Sequence, residues 1–257
     1  MRERRGTILI TGAGRRIGAA LAQNLARDGW QIVAHYHRSA RDAEALAALI
    51  TSDGGRCDTI QADLSRQEDI ETLIPRCIAA FGPLDVLINN AATFFNDLID
   101  TVTWDTFQAH LTPNLAAPLF LSRDFARAFG DRTGGNIINL LDQKVDNLNP
   151  DFMSYTLSKI ALHGLTPMLA MAFGARIRVN GIAPGITLIS GKQTEESFQR
   201  AWQANPLGRS STPDEIAACA RFILATPSIT GQTIVLDGGE SLRGRARDVA
   251  FETGGHN

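Results

Sequence analysis

The chain has 257 residues, 44% of them hydrophobic and 20% charged, and a formal charge of −2. That is enough apolar material for a sizeable core in one large domain or two small ones, and it excludes a disordered chain. Near-neutral charge argues against a general nucleic-acid or anionic-membrane binder, and no apolar run approaches the roughly 18 residues that cross a bilayer.

The opening Met1-Arg2-Glu3-Arg4-Arg5 leads into only a few apolar residues, so neither a signal peptide nor a membrane span is expected. A β-branched run, Thr7 to Thr11, predicts a first strand. Glycines follow it, then a helix with Ile17, Leu21 and Leu25 on one face and Gly29 as its stop. Further strands are predicted at Gln31 to Tyr36 and Cys57 to Gln61, with a helix at Arg41 to Ile50 between them. Next come a helix at Gln67 to Phe81, a strand at Val86 to Asn89, helices across Trp104 to Phe129 and a strand at Asn136 to Leu141. A helix at Phe152 to Phe173, a strand at Arg176 to Ile182, a helix at Pro213 to Leu224 and a last strand at Thr233 to Leu236 complete the series.

Strands alternating with helices need right-handed crossovers and a parallel sheet covered on both faces. The expected fold is therefore α/β: a single Rossmann-type, doubly wound, parallel seven-stranded sheet occupying residues 1–242. Gly185 to Thr212 lacks periodicity and is long for a connection, which marks it as a lid over a site. Residues 243–257 read as a polar, loose tail. Cys57, Cys77 and Cys219 are odd in number, far apart and without CxxC spacing, and read as reduced thiols of a cytoplasmic protein.

Gly12-Ala13-Gly14-Arg15-Arg16-Ile17-Gly18 falls where the first strand turns into the first helix, so its N–H groups and the helix dipole can receive a pyrophosphate. The spacing is GxGxxxG rather than GxGxxG. About 20 residues on, where an acid would take the ribose hydroxyls of NAD, the chain reads His35-Tyr36-His37-Arg38-Ser39. Arg38 and Ser39, with Arg16, suit a 2′-phosphate and hence NADPH. His35 and His37 share a strand face but lack a third ligand, so no metal is expected. Tyr155 and Lys159 lie four apart on one helical face. An ammonium about 4 Å from a phenolate contributes roughly 4 kcal/mol at an effective dielectric of about 20, or about three pKa units, so a tyrosine ionising near neutrality is expected.

Taken with Asp63-Leu64, Asn89-Asn90-Ala91, Asn114, Arg178-Val179-Asn180 and Pro184-Gly185, these motifs occur in an order that resembles the short-chain dehydrogenase/reductase family over nearly the whole chain. The resemblance implies that Asp63 and Leu64 border adenine and that Asn90 and Ala91 border the cofactor ribose. It also implies that Tyr155 and Lys159 are catalytic, with Lys159 holding the nicotinamide ribose. Asn114 would order a proton-relay water, and Pro184, Gly185 and Thr187 would line the nicotinamide side.

Where the family usually has serine, thirteen residues before the tyrosine, this chain has Asp142. An ionised Asp142 would oppose the pKa lowering from Lys159, and a carboxylic acid suits proton donation to a ring nitrogen. Asp142, Arg16, His37-Arg38-Ser39 and Phe94 together look like the pteridine reductase branch. That likeness implies that Phe94 stacks a pterin over the nicotinamide, that Arg16 reaches cofactor phosphate and substrate, and that Asp142 and Tyr155 protonate ring nitrogens. Ala92, Phe95 and Lys144 depart from the branch, so the pterin edge would be contacted differently. The alternatives are a ketoreductase of 3-oxoacyl thioesters or small carbonyls, and a non-catalytic NADPH-binding regulator. The resemblance further implies a homotetramer, with the helices near Pro113 to Phe129 and Phe152 to Phe173 packed across one interface and the last strand joining a second.

Overall fold

The computed structural model describes residues 5–190 and 193–252; the expectations for the first four residues, for 191–192 of the lid and for 253–257 of the tail lie outside them. Seven strands form one sheet: β1 (Thr7–Ile10), β2 (Gln31–Tyr36), β3 (Arg56–Gln61), β4 (Val86–Asn89), β5 (Gly135–Leu140), β6 (Ile177–Pro184) and β7 (Thr233–Leu236). All pairings are parallel, in the order β3-β2-β1-β4-β5-β6-β7. Each strand falls where its apolar run predicts it, and β6 runs on to Pro184 because Gly185 N still donates to Leu236 O.

The chain winds outward from β1 to β3 and then returns to place β4 on the other side of β1. At that switch of direction the connections after β1 and β4 part, and the carboxyl ends of the strands open into a crevice.

Alternate residues of β1 face opposite layers. Ile8 and Ile10 pack with Leu21 and Leu25 of α1 (Arg16–Arg27), Leu46 of α2 (Ala40–Ser52) and Ile216 and Ile223 of α8 (Pro213–Ala225). Leu9 packs with Leu73 and Ile74 of α3 (Gln67–Phe81), Leu121 and Phe125 of α5 (Ala117–Phe129) and Leu169 of α6 (Met153–Phe173). Burial on both faces is what makes the central strands β1, β4 and β5 near-continuous apolar runs, whereas the edge strand β3 exposes Arg56, Asp58 and Gln61.

The helices expected across Trp104 to Phe129 are two, α4 (Trp104–Leu111) and α5, joined by a π turn at Thr112–Ala116. Pro113 has no N–H to donate, which disfavours an unbroken α-helix there. Within the stretch expected to lack regular structure, residues 195–203 form α7 (Glu195–Gln203), capped by Thr194 Oγ1 accepting from Ser197 N. Of the tail expected to be loose, the described part through residue 252 is held in place and includes the short helix α9 (Val249–Glu252).

Candidate active site

At the switch point lies a cleft of about 1090 Å³. Gly12 adopts a φ of +64° as the chain leaves β1, a conformation that costs glycine little. A Cβ on Gly18 would lie 2.3 Å from Gly12 O and 2.7 Å from Asn90 Nδ2, so the turn and α1 close only around a glycine. Helix α1 begins without a side-chain cap and without an acid in its first turn. Its leading N–H groups and dipole therefore suit an anion.

His35 braces the turn from below. Its Nδ1 accepts from Gly12 N at 3.0 Å and its Nε2 lies 3.1 Å from Ala62 O, while burial lowers its pKa to about 4, so the ring is neutral. Asn90 gives both amide hydrogens to the turn, to Thr11 O at 2.8 Å and Gly12 O at 3.1 Å, so its side chain fastens β4 to β1. Ile17, Leu64 and Ala91 also line this end of the cleft.

His37 and Arg38 are exposed at the cleft wall beside half-buried Ser39. His37 Nε2 is 3.2 Å from Asp63 Oδ2. Burial would raise the Asp63 pKa, but hydrogen bonds from Ser65 and the charges of His37 and Arg38 hold it below the usual range. The two arginines of the turn are engaged: Arg15 Nε pairs with Asp42 at 2.5 Å, and Arg16 donates to Ile189 O at 2.6 Å and Leu188 O at 3.3 Å. Arg16, expected at the cofactor phosphate and substrate, thus clasps the glycine turn to the loop after β6; Pro184 at the end of that strand and Gly185 and Thr187 of the loop line the same cleft.

Beyond β5 and α6 the reacting groups converge. Tyr155 Oη donates to Asp142 Oδ2 at 2.8 Å, and Lys144 N donates to Asp142 Oδ1 at 2.9 Å. Lys159 Nζ donates to Leu140 O at 2.7 Å and lies 5.7 Å from the Tyr155 ring centre. This corrects the expectation that Lys159 pulls the tyrosine toward neutral pH. Burial first and then Asp142 push the Tyr155 pKa well above 10, burial drives Lys159 down to about 8, and burial raises Asp142 despite the donors around it. Aspartate and tyrosine thus form a proton-retaining pair with the lysine alongside.

Asn114, expected to order a relay water, sits in the π turn with its side chain fully engaged. Oδ1 accepts from Thr93 N at 2.7 Å, and Nδ2 donates to Thr93 O at 2.9 Å and Ser158 Oγ at 3.0 Å. The side chain therefore braces the loop after β4 against α6.

That loop carries Phe94, 41% exposed, stacked on Phe152 at 4.5 Å and edge-on to Tyr155 at 4.6 Å. Helix α6 starts from Phe152 in a left-handed conformation and has no side-chain cap from its own N-cap residue. The loop supplies what is missing: Asn96 Oδ1 accepts from Phe152 N at 2.8 Å and Asp97 Oδ1 from Ser154 N at 2.9 Å. One segment thus aims the aromatic ring and seats the helix that bears Tyr155 and Lys159.

Sequence reasoning missed three acids here. Asp151 accepts a fork of bonds from Arg247, Asp248 pairs with Lys144, and Glu240 accepts from Gln143 Nε2 at 3.2 Å and lies 3.5 Å from Ile186 N. Glu240 is raised to about 8 by burial and by the charges of Asp142 and Asp248. An acid directly after Asp237-Gly238-Gly239, at the carboxyl end of the last strand, was the one available signal.

Residues 12–241 match the family model described as enoyl-(acyl carrier protein) reductase. The FolM alternative dihydrofolate reductase 1 from Brucella canis, solved with NADP, superposes with a TM-score of 0.88 at 38% identity, covering 96% of this chain and 98% of that one. Pteridine reductase 1 of Leishmania tarentolae is 30% identical over 91% of this chain and 96% of its own length. A 3-oxoacyl-[acyl-carrier-protein] reductase of Synechocystis is 32% identical over 90% of this chain and 95% of its own.

Proposed function

The chain belongs to the short-chain dehydrogenase/reductase family of oxidoreductases, and from that premise we propose that it is an NADPH-dependent reductase of a pterin-type substrate, taking a dihydropterin to its tetrahydro form. The observation that carries this reading is the half-buried Asp142 carboxyl, bonded to Tyr155 Oη at 2.8 Å beside the partly exposed Phe94 ring.

The residues of the cleft fit the cofactor. The uncapped start of α1 suits its pyrophosphate, Arg38 and Ser39 at the end of β2 suit a 2′-phosphate, and among residues 37–39 there is no acid to repel one. When bound, NADPH supplies the hydride. Phe94 offers a π-face on which a flat heteroaromatic ring stacks, which places a ring atom within reach of Tyr155. Asp142, held toward its protonated form by burial, and Tyr155, whose Oη donates to it, are the two proton donors for ring nitrogens. Lys159 adds a positive charge on the same side, steadied by Leu140 O. The Synechocystis relative supports the ketoreductase alternative at a comparable level of identity, but Asp142 in place of serine favours a nitrogen over a ketone oxygen.

Following NADPH oxidation with a dihydropterin, a 3-oxoacyl thioester and no substrate tests the reading. We expect turnover with the pterin alone, a loss of roughly 100-fold or more in Tyr155→Phe, and in Asp142→Ser a loss deepest at acid pH. Absence of pterin-dependent oxidation between about pH 4.5 and 8 overturns it.

A further inference from the structure

The C-terminal segment reaches the site from outside the sheet. Arg247 Nε and Nη2 grip the Asp151 carboxylate at 2.8 and 2.7 Å, and Asp248 N donates to the same group at 2.7 Å. Phe251 packs 5.7 Å from Phe152, and Val249 is buried against the cleft. Held this way, Asp248 Oδ2 lies 2.7 Å from Lys144 Nζ, with the two side chains only 13% and 4% exposed. Lys144 Nζ also donates to Asn149 Oδ1 at 3.1 Å, and Lys144 N donates to Asp142 Oδ1.

We propose that Lys144 and Asp248 form a positioning pair for Asp142, in which the tail carboxylate neutralises the ammonium two residues from the reacting acid. The proposal rests on the reading that Asp142 delivers a proton to the substrate. Within this closed end, Asp142 faces Tyr155 and Lys159 from α6, Glu240 from the end of β7, Lys144 from its own turn and Asp248 from the tail. Lys144 alone would favour the ionised form of Asp142, which cannot donate. Paired with Asp248, it keeps its main-chain bond to Asp142 while its charge is offset. Removing either partner leaves a buried charge of the opposite sign.

The test reads Asp142 directly, by carboxyl ¹³C NMR titration of the full chain with NADPH added, alongside the pH profile of kcat/KM for a dihydropterin. Asp248→Asn is expected to move the Asp142 titration and the alkaline limb of kcat/KM down by about one pH unit, and Lys144→Met to move both up by about as much. The double variant should return near the wild-type position. Shifts in the same direction, or no shift in either single variant, overturn the pair, because a purely structural role has no sign. Should Lys144→Met fail to fold, Lys144→Gln reads the same sign with a side chain that can still bond Asn149. Opposite carboxyl shifts without dihydropterin turnover support the pair and count only against the substrate reading.

Discussion

Glu240 is a carboxyl left 2% exposed and raised from 4.5 to about 8, and its cost to the fold follows from that shift. The folded state holds its proton more tightly than the unfolded chain does. Its contribution to stability is therefore fully present below about pH 4.5 and is lost as pH rises through about 8. The shift is shared with Asp142 and Asp248, whose charges contribute to it, so we assign about 2 kcal/mol to Glu240 itself. Wild-type protein is expected to melt about 5 °C lower at pH 9 than at pH 5 from this group, and Glu240→Gln should flatten that fall. Melting curves with equal pH dependence in both proteins would remove Glu240 from the account. Asp142 and Tyr155 were legible as residues, one by its departure from serine and one by its spacing to Lys159. Their proton affinities were not, because burial outweighs the single ammonium that the spacing reveals.

Among the elements, the junction of β1 and α1 leaves no room for a side chain at Gly18. Gly18→Ala would set a methyl 2.3 Å from Gly12 O, a main-chain atom that cannot swing aside, and against the Asn90 amide that ties β4 to the turn. We expect a destabilisation of about 1–3 kcal/mol and loss of NADPH binding, with turnover falling in proportion, measurable by denaturant titration and cofactor fluorescence. Unchanged cofactor affinity would show that the turn is only a turn. All seven strands and most helices were legible because the central strands are apolar runs, the edge strand β3 sits between clear helices, and most long helices repeat an apolar face. Helix α7 was not: its nine residues carry only three apolar side chains, Phe198, Ala201 and Trp202, and although these share one face the segment is too short and too polar to stand out from a loop. The tail was missed for another reason. Arg245, Arg247, Asp248 and Glu252 read as solvated polarity, yet Arg247 and Asp248 find Asp151 and Lys144 about 100 residues away. The cap of α6 by Asn96 and Asp97 is likewise set by the tertiary fold alone.

At the scale of the whole molecule, two apolar surfaces stand apart from the cleft. Leu157, Ile160, Met168 and Met171 are exposed at intervals of three, eight and three residues along α6, so they form one stripe on the outside of the domain. At the far edge of the sheet β7 is only half-buried along its whole length, with exposed Phe222 and Leu242 on the segments before and after it. The opposite edge strand, β3, turns Arg56, Asp58 and Gln61 to solvent, whereas β7 carries Ile234, Val235 and Leu236, and an apolar edge of that kind is ordinarily covered. Two distinct self-complementary patches generate two isologous interfaces, and two such interfaces with perpendicular axes close a tetramer. We propose the homotetramer on this ground. Met168→Glu combined with Met171→Glu sets charges on the α6 stripe alone, leaving β7 free to pair. Sedimentation equilibrium is expected to read four protomers for the wild type and two for the double variant. A wild-type chain that sediments as a monomer sinks the proposal, as does a variant that still holds four. Cofactor binding should survive the dissociation, since the stripe lies on the outer face of α6 whereas Tyr155 and Lys159 are buried on its inner one.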